Sequence, residues 1–119
     1  MNISNRLARL LSVKYNWSLP FFKILIESPH DKLKLLRHMP KQVQNDLIEI
    51  MNNVTLGKAP IHPQLKKRLH RHSKPLIQLT RIKGRPNRRK FVYNQSGGFV
   101  GALVPVLASL VGGIIGNVL

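Results

Sequence analysis

Three of the five histidines fall in one stretch, as His62, His70 and His72. Imidazole is the side chain that could both ligate a metal and exchange protons near neutrality. A structural zinc site needs four nitrogen or sulfur donors, commonly with thiolates among them. The chain has no cysteine, and a neutral-imidazole site amid many cations is electrostatically disfavoured. The His-Arg-His triplet therefore reads as solvated positions on a basic helix, and no metal site is expected. Carboxylates are scarcer still: Glu27, Asp31, Asp46 and Glu49 are the whole supply. They are too few, and too plainly on helix surfaces, for a general acid and base pair. No Ser/His/Asp or Cys/His set and no phosphate-cradling glycine loop is present. The reading is a non-enzymatic chain that needs no cofactor.

The residues that could do chemistry in bulk are the cations. Twelve of the 20 Lys and Arg lie between positions 58 and 90, a stretch of 33 residues with no acid. Charge runs on ordinary protein surfaces are mixed in sign, so this one calls for a polyanion. Lys66, Lys67, Arg68, Arg71, Lys74, Arg81, Lys83, Arg85, Arg88, Arg89 and Lys90 are the expected phosphate contacts. Each phosphate neutralised releases counterion, so about eight such contacts would give a logarithmic salt slope near −7. The cations surround their helix on every side but an apolar stripe, and no helix-turn-helix or zinc-finger pattern is evident. Backbone neutralisation of double-stranded DNA without sequence reading is the expected mode. Few aromatics lie among the cations, which argues against stacking on single-stranded bases. Residues 81–90 would also pass as a nuclear address.

These residues must be positioned by a chain of 119 residues with a formal charge of +16, room for one small core at most. Ile3, Leu7, Leu10 and Leu11 predict an amphipathic helix over residues 3–15. Residues 20–27 are apolar on most sides and read equally as a short helix or a strand. Ser28-Pro29 reads as a helix start, with Ser28 as N-cap and Asp31 in the first turn. Pro40 opens another helix, with Val43, Leu47, Ile50, Met51 and Val54 on one face and Asp46 and Glu49 on its wet side. Asn52, Asn53 and Gly57 offer stops. Residues 1–57 are thus expected to be a small helical bundle or hairpin. Beyond a Pro-flanked loop, Leu65, Leu69, His72, Leu76 and Leu79 form one stripe of a basic helix, kinked or restarted at Pro75 with Ser73 as cap. Residues 81–90 look extended and mobile, and Phe91-Val92-Tyr93 suits a short strand.

The C-terminal stretch adds a second character. Residues 99–119 carry no charge over 21 positions, long enough to cross a hydrocarbon core. Phe99, Leu103, Val104, Leu107, Leu110, Ile114 and Ile115 are its membrane-facing candidates, and Gly112-x-x-x-Gly116 could pack helices closely. Pro105 and glycines at 101, 112, 113 and 116 weaken a helix there. The basic tract ahead would sit on the cytoplasmic side. The fold expected is mostly α: an N-terminal helical region 1–57, a basic tract 58–90, a linker 91–98 with an extended Gly-Gly junction, and a Gly/Pro-broken apolar helix 99–119. Part of it would be disordered without DNA.

From Gly57 onward the series LGKAPIHPQLKKRLHRHSKPLIQL and RRKFVYNQSGGFVGALVPVLASLVGGIIG resembles a family of short basic proteins. These are the adenovirus core protein X (mu)-like proteins of Polinton/Maverick transposons and adintoviruses. The resemblance spans about residues 33–119 and rests on the order of features rather than on any one of them. It departs from the family where Gly84, Pro86 and Asn87 interrupt the basic run. It implies a DNA-condensing protein of the virion or host nucleus, with capsid proteins as partners. It further implies an adenovirus-like cysteine protease cutting after Gly98, at the end of Gln95-Ser96-Gly97-Gly98 and before Phe99. The side-chain-free glycines suit a narrow protease groove. Two other readings remain: a tail-anchored or membrane-active protein whose polybasic flank touches anionic lipid, and an RNA-binding basic protein.

Overall fold

A computed structural model describes residues 14–29, 31–58, 61, 63–95 and 97–118, with the backbone alone for residues 97, 98 and 110–118. The fold is mostly α-helical: α1 Leu19–Glu27, α2 Lys32–Arg37, α3 Lys41–Thr55, α4 Pro63–Leu69, a 3-10 turn His70–His72, α5 Ser73–Arg81, α6 Arg85–Tyr93 and α7 Gly97–Val118. Most of the helix expected over residues 3–15 lies outside the described residues.

Local chemistry sets the boundaries. The segment read as helix or strand is α1, with Pro20 in its first turn, where a missing N–H costs nothing. Ser28 follows its end, and the cap of α2 is Asp31, whose carboxylate accepts from the N–H groups of Leu33 (2.9 Å) and Lys34 (3.2 Å). A carboxylate holds two orphan amides better than a hydroxyl does. Lys32 turns back and donates to the carbonyls of Leu25 (2.8 Å), Ile26 (3.3 Å) and Ser28, closing the C-terminus of α1. α3 starts after Pro40 as expected. It ends in a Schellman motif: Lys58 N–H bonds Asn53 O (2.8 Å), Gly57 N–H bonds Val54 O (3.1 Å), and Gly57 has φ +75°.

The expected break near Pro75 is present as the 3-10 turn, since Pro75 offers no amide to residue 71. Helix α5 resumes at Ser73, with His72 rather than Ser73 in the capping place and no side-chain cap bond. Residues 81–90 are not extended. Only residues 82–84 form a turn, and Gly84 takes φ +89°, a left-handed conformation open to glycine. Pro86 then lies in the first turn of α6, where its fixed φ suits a helix. Phe91-Val92-Tyr93, read as a strand, ends that helix.

The core joins every described α-helix. Tyr15, Phe22, Leu25, Leu36, Val43, Leu47, Met51, Leu69, Leu76, Leu79, Val92, Phe99, Val100, Leu103, Val106 and Leu107 are buried together. Helix α7 packs on α1, α2 and α4, while α3 packs on α5 and α6. The apolar C-terminal stretch is therefore the central element of the fold over its first half. Phe99, Leu103 and Leu107, expected to face a membrane, face the protein interior, because the sides of α1, α2 and α4 that α7 meets are apolar, with Phe22, Leu25, Leu36 and Leu69 buried there. Val104 is half-buried, and the side chains of Leu110, Ile114 and Ile115 lie outside the described residues. Pro105 lies inside α7 without ending it. The Gly-Gly junction is not extended either: Gly97 and Gly98 form the first turn of α7. The radius of gyration, 13.3 Å, matches the roughly 13.5 Å of a compact domain of this length.

Candidate nucleic-acid interface

Helices α4 and α5 with the 3-10 turn between them make one basic rod. Its inner side carries Leu69, Leu76 and Leu79, buried, with Leu65 and His72 half-buried. The His72 ring lies against Phe99 at 5.9 Å between centroids, so the rod is seated on α7. The outer side shows Lys67, Arg71, Lys74, Gln78 and Arg81 at helical spacing, flanked by Lys66, Arg68 and His70, all exposed. At 1.5 Å per residue, Lys67 to Arg81 covers about 21 Å, with a cation roughly each turn.

The arginines after the turn divide into two groups. Arg88 Nε donates to Ile82 O (2.8 Å) and Arg89 Nη1 to Asn45 Oδ1 (2.7 Å), and both side chains are half-buried. They fasten α6 to its own turn and to α3. Arg37 stacks on the Tyr93 ring at 5.1 Å and ties α2 to the far end of α6. Arg88 and Arg89 are thus scaffold, which leaves Lys66, Lys67, Arg68, Arg71, Lys74, Arg81, Lys83, Arg85 and Lys90 exposed. Sequence reasoning could not separate the two groups, because an arginine that braces a helix and one that meets a phosphate look alike in a basic run.

Two acids are less wet than expected. Asp46 accepts from the Ser18 hydroxyl (2.5 Å), and Glu49 accepts from the Tyr15 hydroxyl (2.9 Å) and pairs with Lys14. Burial raises the Asp46 carboxyl, with the Ser18 bond opposing it. Burial also pushes against ionised Glu49, but bonds from Lys14 and Tyr15 outweigh it and hold that carboxyl below its usual value. Arg85 lies near enough to favour the ionised form of both. The acids are therefore tied into the α3 side, and Lys66, Lys67, Arg68, Arg71, Lys74, Arg81, Lys83 and Lys90 form no ion pair with a described residue.

The chain matches no family model, no curated protein and no solved structure. Among the described residues no three His, Asp or Glu side chains converge as metal ligands; His62 lies outside them. Nor is any helix among the described residues long and apolar enough to cross a membrane. Chemically, the arrangement offers a cationic surface, with Asp46 and Glu49 tethered on the α3 side and Asp31 capping α2.

Proposed function

We propose that the chain binds and condenses double-stranded DNA by neutralising phosphates without reading sequence, as a virion core-type protein of the elements it resembles. The observation that supports this reading is the set of eight exposed cations on α4, α5, the turn and α6, none paired with a described acid. A net charge of +16 on a compact body of 13.3 Å radius of gyration is self-repelling, and a polyanion relieves that repulsion. The contacts are Lys66, Lys67, Arg68, Arg71, Lys74, Arg81, Lys83 and Lys90, with Arg85 shared with the acid pair and Arg88 and Arg89 withdrawn to the scaffold. Maturation after Gly98, which the resemblance alone suggests, would require the first turn of α7 to unwind.

The test is titration of the full chain into duplex DNA across a salt series, with plasmid sedimentation for compaction. If all eight cations engage, the logarithmic slope is about −7 and plasmid sediments with the protein. A slope shallower than about −3 would mean three or fewer phosphates, and the reading would be abandoned.

A further inference from the structure

The proposal above needs only a cationic surface, yet α6 is built with more care than that. It follows α5 after the three-residue turn 82–84, whose Gly84 supplies φ +89°. DNA-binding helix-turn-helix units join their two helices by a three- or four-residue turn that often contains glycine, and offer the second helix to a groove. Orientation of α6 is fixed from three directions: by Arg88 on Ile82 O, by Arg89 on Asn45 and by Arg37 on Tyr93. An element that merely neutralises phosphate gains nothing from such bracing, because a flexible lysine does the same. Bracing serves a rigid body that must fit a shape.

The two exposed faces also differ in composition. On the α4–α5 rod the outer face is almost wholly Lys and Arg, suited to phosphate. On α6 the outer face carries Pro86, Asn87 and Lys90, with Lys83 in the turn before it and Asn94 just past its end, all exposed. Asn87 Nδ2 donates to Lys83 O (3.1 Å), which holds the amide over the turn. Asparagine amides meet adenine edges in the major groove and lysine or arginine meets guanine, while phosphate contacts serve chiefly to set register. A nine-residue helix is about 13 Å long and 10–12 Å across with its side chains, and the major groove is about 12 Å wide.

We infer that α5, the turn and α6 form a groove-docking module, with the Asn87–Lys90 face of α6 in the major groove of B-form DNA and the α4–α5 rod along the flanking phosphates. The inference rests on the DNA binding proposed above and amends it at α6, where Asn87 and Lys90 meet base edges while the other exposed cations meet phosphates. Duplex RNA has a major groove too deep and narrow for a helix, so the module distinguishes the two.

The deciding experiment compares the full chain on three duplexes of one sequence: ordinary DNA, DNA with glucosylated 5-hydroxymethylcytosine, and RNA. Glucose fills the major groove and leaves the phosphate charge unchanged. The inference expects binding to glucosylated DNA and to RNA to be weaker by about tenfold or more, the worth of one or two base-edge contacts. It also expects protection of guanine N7 from dimethyl sulfate. Asn87→Ala with Lys90→Gln should remove most of that difference, lower the salt slope by only about one unit and keep the helical circular dichroism. Equal affinity for all three duplexes with a steep salt slope would overturn groove docking and leave phosphate neutralisation standing. Failure to bind any of the three would overturn both.

Discussion

At the scale of single residues, Tyr15 is the most perturbed group. It is 2% exposed and donates to Glu49, and burial first, then the Glu49 bond and charge, push its phenol well above the ordinary value. The folded chain thus holds this proton to higher pH than the unfolded chain does. Its stabilising effect is fully present below about pH 10, where the unfolded phenol titrates, and is lost as pH rises beyond that. Tyr15→Phe should lower stability at pH 8 by about 1–3 kcal/mol, the worth of a bond to a charged acceptor. It should also flatten the alkaline decline of the urea midpoint relative to the parent. Part of the decline should survive, because burial raises Tyr93 too, against the opposing charges of Arg89 and Arg37. Two cations make a second residue-scale contrast. Arg89→Ala removes the bond to Asn45 and should cost about 1–3 kcal/mol while leaving the salt slope of DNA binding unchanged. Lys74→Ala, exposed, should move stability by less than about 0.5 kcal/mol and flatten the slope by about 0.9. Paired urea melts and salt titrations of both variants check the division into scaffold and contact.

At the scale of elements, the turn before α6 is the sharpest test. Gly84→Ala places a Cβ on a left-handed φ of +89°, which costs about 1–2 kcal/mol and should tilt α6 before it unfolds anything else. Thermal melts should register the loss, and the preference for ordinary over glucosylated DNA should fall by more than total affinity does. This turn also shows where the sequence was legible. The extent of helix α3 could be read, because Val43, Leu47, Ile50 and Met51 repeat at helical spacing between Pro40 and Gly57 and are buried. Its buried face is wider than that stripe, taking in Gln44 and Ile48, while Val54 is only half-buried. Residues 81–90 were misread because Gly84 and Pro86, both breakers inside a helix, mark the entrance of one when they stand in that order. The cap of α2 went to Asp31 rather than Ser28 for an energetic reason that sequence spacing does not carry. Of the candidate site, the exposed cations were legible as a set. The inward turn of Arg88 and Arg89 was not, since it depends on Asn45, 44 positions away from Arg89, and on a carbonyl that the turn itself creates.

At the scale of the whole molecule, the apolar stretch decides what the chain can be. Hydropathy states only that residues 99–107 avoid water; a bilayer and a protein core satisfy that equally. Phe99, Val100, Leu103, Val106 and Leu107 are buried where α7 packs on α1, α2 and α4. Deleting one such side chain, as in Phe99→Ala, should cost about 3–5 kcal/mol of a total near 5–15 kcal/mol. Removing all five by ending the chain at Gly98 should therefore abolish cooperative unfolding in urea and the near-ultraviolet circular dichroism of Trp17 and the tyrosines. Every lysine and arginine precedes Gly98, so the 1–98 fragment should keep a steep salt slope on DNA while losing its preference between ordinary and glucosylated duplex. If the fragment instead melts cooperatively at the parent's midpoint, residues 99–107 are not core, and Gly97-Gly98 is a hinge between separable parts. If it loses both fold and groove preference but keeps the slope, charge alone binds the phosphates and the apolar helix supplies the shape.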